Sequence, residues 1–73
     1  MSVFSERIIS LRKSRGVSQA FAAKEIGISL RAYQKYEYME SEPTLSVAAR
    51  MADFYGVSLD YLAGRLKEEE TIH

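Results

Sequence analysis

Arg31, Gln34 and Lys35 sit on successive turns of one short segment, ISLRAYQKYE, and each ends in hydrogen-bond donors. Cationic and amide groups at this spacing suit one chemistry: contact with base edges and phosphates in a DNA groove. A reading helix must lie in the major groove, because only there does each base pair show a distinct donor and acceptor pattern. It must also be held at a fixed angle by a partner helix. The preceding stretch, SQAFAAKEI, supplies that partner, and Gly27 between the two permits a sharp turn. Ala22 and Ala23 are small enough for close approach, and Tyr33 and Tyr36 are expected to fill the space between the helices. The start of the second helix also offers backbone N–H groups to a phosphate.

The elements that hold this pair read as helices throughout. No stretch alternates apolar and polar residues for long enough to make a strand. The spacing predicts helices over 4–14, 19–26, 30–38, 45–55 and 59–63, with Ser18, Ser29 and Ser58 as N-caps. Gly16, Gly27, Gly56 and Gly64 follow helix-length segments, and Pro43 precedes a helix start. Phe4, Ile8 and Leu11 share one face of the first helix. Leu45, Ala48, Met51, Ala52 and Tyr55 are expected to line the buried side of the fourth, and Val57 and Leu62 to form a hydrophobic staple. Residues 1–64 thus form one all-α domain, and the charged stretch 65–73 is expected to fray.

The 73 residues carry a net charge of zero. That balance conceals a division. Residues 1–36 hold seven basic side chains against two acidic, a balance of +5, and residues 37–73 hold three against eight, a balance of −5. Such asymmetry points to a polyanionic partner or to a merely dipolar surface. A chain this short buries only about 60% of its unfolded surface and has little room for a large substrate cavity. Without cysteine it has no disulfides or thiolate sites, and it has neither a signal-peptide pattern nor an apolar run of membrane-spanning length. A cytoplasmic protein is expected, with no membrane, small-molecule substrate, cofactor or metal. An enzyme is not expected either: there is no glycine-rich phosphate loop, nucleophile–His–acid set or ligand cluster, and His73 stands alone at the end.

The chain resembles the helix-turn-helix domain of phage repressors and Cro-like regulators, the XRE family. Ser18-Gln19, Ala23, Gly27-Ile28-Ser29, Tyr36-Glu37, Pro43-Thr44-Leu45, Ala52-Asp53 and the run Gly56 to Leu62 stand where that family's pattern places them, without a gap. The resemblance covers about 4–64. It implies a compact five-helix bundle of the lambda-repressor type that represses transcription by binding palindromic duplex operators as a homodimer. It also implies that Gln19 holds a phosphate and that Leu30, Arg31 and Lys35 face bases, with Ser29, Tyr33 and Gln34 in the same DNA-binding set. Within that frame Arg31 suits guanine O6 and N7, and Leu30 a thymine methyl. Arg12 and Glu37 match the family's structural ion pair.

Three features depart from the family pattern. The loop after the third helix, Tyr38-Met39-Glu40-Ser41-Glu42, has no glycine and two acids where basic residues commonly grip the backbone. Phe21 takes a usually polar position, and Ala22 replaces the usual leucine. The acidic loop and Phe21, with the acidic second half, favour an alternative: a protein-interaction module, an antitoxin or anti-regulator built on the same fold. No second domain that senses a ligand is legible in the 73 residues.

Overall fold

In the computed structural model, residues 2–67 are described. Five helices follow in order: α1 (Val3–Arg15), α2 (Gln19–Ile26), α3 (Leu30–Glu37), α4 (Leu45–Tyr55) and α5 (Leu59–Leu62). No strand occurs among the described residues, so the all-α bundle read from the sequence is the observed architecture. Both α2 and α4 have the expected limits. The first helix begins one residue earlier than expected and ends one later, whereas α3 and α5 stop one residue short. Among the described residues no helix is long and apolar enough to cross a membrane.

Every helix opens on a hydroxyl. Ser2, Ser18, Ser29, Thr44 and Ser58 each accept a hydrogen bond from the backbone N–H three residues on. Each satisfies a donor with no partner inside its helix, worth about 1 kcal/mol per cap. The helix ends also share one device, an N–H bonded to the carbonyl five residues back. The residue before that N–H must take a left-handed conformation. Gly27 does so after α2, at φ 89°, but after α3 the position is held by Met39, at φ 66°. An L side chain there costs about 1–2 kcal/mol.

The core draws on all five helices. Ile8 and Leu11 of α1 meet Ala22, Ala23 and Ile26 of α2, with Met51, Ala52 and Tyr55 of α4 beneath. Val57 and Leu62 are both fully buried and close the core at α5, as the staple requires. Full burial of one aliphatic side chain of this size contributes about 1.5–3 kcal/mol. Leu45 corrects an expectation, being 73% exposed rather than part of the buried side of α4. It is the first helical residue, and side chains lean towards a helix's N-terminus, so it reaches beyond the bundle.

Arg7 ties α1 to α5 and the segment just after it. Its guanidinium lies 4.0 Å from the centre of the Tyr61 ring and donates to the carbonyls of Tyr61 and Leu66, the latter at 2.6 Å. The frayed tail expected over 65–73 falls mostly on residues 68–73, which lie outside the described residues.

Candidate nucleic-acid interface

The third helix is only eight residues long, and its two faces carry different chemistry. Inward, Tyr33 and Glu37 are one turn apart and buried. Outward, Leu30, Arg31, Gln34 and Lys35 line one shallow depression, with Tyr38 and Glu40 at its edge. The structure therefore gathers four of the residues singled out in the sequence on one surface. Arg31 is fully on the exposed side, and Gln34 and Lys35 are half-buried. Ser29 is exposed at the start of the helix, where its hydroxyl accepts from the N–H of Ala32 at 3.0 Å. Its hydroxyl serves first as a cap.

Tyr33 packs in the core as its role between the helices requires, and this corrects its place in the DNA-binding set. Placed in the DNA-binding set on resemblance, it is 0% exposed, and its hydroxyl is hydrogen-bonded to that of Tyr55. It cannot touch a base. Burial first, then the hydrogen bonds to Tyr55 and Glu37, push its ionisation far above the ordinary tyrosine range, so it stays neutral at any working pH. Tyr36, expected beside it between the helices, is half-buried against the core.

Arg12 and Glu37 form the ion pair that joins α1 to the end of α3. The Nε of Arg12 lies 2.7 Å from one carboxylate oxygen, and a second guanidinium nitrogen donates to the other at 3.3 Å. Burial alone would raise the Glu37 pKa. Hydrogen bonds from Arg12, Gln19 and Tyr33 outweigh it and hold the carboxylate below its ordinary value. The same contact raises the pKa of Arg12. Both groups are therefore charged, and Arg12 also donates to the Val17 carbonyl at 3.1 Å, which ties down the entry to α2.

Gln19 stands at the first position of α2, as expected for a phosphate ligand. Its amide nitrogen, however, donates to Glu37 at 2.9 Å and reaches the Tyr38 hydroxyl at 3.4 Å. Its amide oxygen accepts from Gln34 at 3.2 Å. Tyr38 is not among the residues expected to bind DNA, yet it lines the depression and is 57% exposed. The signal lay in its position, one residue past α3 and four past Gln34, on the turn that continues the outward face.

The charge division along the chain overstated the basic surface. Arg7 and Arg12 are half-buried and bond inward, whereas Arg15 stays exposed while donating to the Tyr55 carbonyl at 2.7 Å. Phe21, the unusual residue of α2, is half-exposed with its ring 6.3 Å from that of Phe54. It neither folds fully into the core nor stands apart from it.

Comparison with known proteins fits this geometry. The model of a family described as helix-turn-helix matches residues 8–62. The transcriptional repressor RstR of the cryptic CTXphi phage in Vibrio cholerae is 43% identical over 65 residues, 89% of this chain and 58% of that protein. The SPbeta prophage-derived regulator YonR of Bacillus subtilis is 38% identical over 60 residues, 82% of this chain and 56% of its own. The chain thus spans a little over half the length of these relatives. The crystal structure of the P22 c2 repressor with a synthetic operator superposes with a TM-score of 0.80 at 31% identity, covering 85% of this chain and 94% of that one. An unbroken motif, its helix geometry and these matches together place the chain in the helix-turn-helix family of phage-repressor and Cro-like (XRE) regulators.

Proposed function

We propose that this chain is a sequence-specific, double-stranded DNA-binding regulator of transcription, a repressor that acts by occupying its operator. One observation carries the reading: Arg31, Gln34 and Lys35 share an outward surface while Tyr33 and Glu37 of the same helix are locked inside. A helix anchored in this way can enter a major groove without bending and present its N-terminal half to base edges. The likeness to repressors, one of them solved on operator DNA, supports the same reading.

The finer reading is a cytoplasmic homodimer on a palindromic site. Two copies would set their α3 helices about 34 Å apart and read half-sites one turn apart. The exposed Leu45, beside Met39 and Leu59 in a groove between α1, α4 and α5, offers apolar area for pairing. Selection of bound sequences from a random duplex pool tests both points. A recovered palindrome is the expected result, whereas enrichment of no sequence defeats the operator reading.

The alternative of a protein-interaction module draws on the exposed Phe21 and the acids after α3. Salt titration separates the two. Phosphate contacts make log K fall steeply with log salt. Absence of duplex binding at low salt favours the protein partner.

A further inference from the structure

The polar groups behind α3 form a chain whose direction is fixed. Glu37 is paired with the Arg12 guanidinium at 2.7 Å, and a carboxylate so paired only accepts. Gln19 must therefore turn its nitrogen to Glu37, at 2.9 Å, which leaves its oxygen facing Gln34. Gln34 in turn must donate, and its nitrogen stands 3.2 Å from that oxygen. The ordinary ambiguity of a glutamine amide is removed twice over, by one buried charge. Gln34 keeps its oxygen and one further N–H, and it lines the depression beside Arg31 and Lys35.

We infer that this relay, Arg12–Glu37–Gln19–Gln34, makes Gln34 a specificity-determining residue for adenine and Gln19 a positioning residue rather than a phosphate ligand. An amide oxygen beside an N–H matches the N6 donor and N7 acceptor of adenine, whereas guanine offers two acceptors there. Gln19, with its oxygen engaged by Gln34 and its nitrogen by Glu37 and Tyr38, acts through Gln34. The inference rests on the operator reading above and deepens it by naming the base and the residue that selects it.

The test compares wild type, Gln34→Met, Gln19→Met and the double variant on the operator recovered from the random pool and on its single-base changes. Each variant is first checked for the wild-type helical circular dichroism. Gln19→Asn, which keeps an amide but shortens its reach, serves if Gln19→Met fails to fold. Wild type is expected to prefer adenine at one position of each half-site by at least about tenfold, and either single variant to cut that preference below about threefold. The double variant should lose no more than one single variant does, because both act on one contact.

Two results overturn the relay while leaving the operator reading intact. One is a Gln19→Met loss that is equal on all duplexes and additive with Gln34→Met, the mark of a phosphate ligand. The other is an adenine preference that survives Gln34→Met. If the wild-type pool yields no enriched sequence, the operator reading fails and the relay falls with it.

Discussion

The two faces of α3 use polar groups in opposite ways. Inside, Tyr33 and Glu37 are paired, desolvated and held by residues from α1, α2 and α4. Outside, Arg31 and Lys35 stand over an open depression. An eight-residue helix is too short to be stable by propensity alone, so its orientation comes from the inner set. Free energy invested inward appears as stability, and the outer set is left available for binding. Changes to Arg31 or Lys35 should therefore leave stability largely intact, whereas changes to Glu37 also reach Gln34 on the outer face through Gln19.

The largest effect is expected from Arg12→Ala. Its loss leaves the buried Glu37 charge without its main partner, which costs about 3–5 kcal/mol in unfolding free energy by urea titration. A loss below about 1 kcal/mol would put this pair with ordinary surface pairs and undo the comparison. Acid should expose the same pair. Glu37 has a lower pKa folded than unfolded, so its contribution is complete above the unfolded value and fades as pH falls through the folded one. Urea midpoints of the native protein should therefore drop more steeply below about pH 4.5 than those of Glu37→Gln.

On the outer face, Arg31→Ala is expected to weaken operator binding by about 1–3 kcal/mol and relax one base position, with its melting temperature unchanged. Equal loss on specific and random duplexes would reduce Arg31 to a phosphate contact. Met39→Gly tests the turn that ends α3. Relief of its left-handed backbone should raise stability by about 1 kcal/mol, seen as a higher urea midpoint, unless the contact between the Met39 sulfur and the Ser2 N–H, at 3.2 Å, offsets it. The smallest change is expected from Glu40→Lys at the rim of the depression. It should tighten binding uniformly across sequences and steepen the salt slope by about one.

Much of this was legible in the residues. The limits of α2 and α4 follow from hydroxyl caps at their starts and glycines at their ends, signals that act within four residues. Arg31, Gln34 and Lys35 could be grouped because residues one turn apart on a helix must be neighbours. Tyr33 could not be assigned in the same way. In so short a helix, apolar Leu30 and Tyr33 and polar Gln34 and Glu37 fit more than one inward face, and only packing against Tyr55 and Arg12 chose between them. Leu45 misled for a related reason, since helical periodicity says nothing about where the rest of the bundle ends.

By itself the sequence determined a five-helix chain with a short turn at Gly27 and a family to which it belongs, because caps, turns and periodicity are local. Tertiary structure decided how the cations divide: Arg7 and Arg12 are half-buried and bonded inward, whereas Arg31 stays exposed on the outward face. It also decided that Gln19 turns towards Glu37 and Gln34. Those outcomes depend on which donor reaches which acceptor across 15 to 59 residues of chain, and no local spacing specifies that.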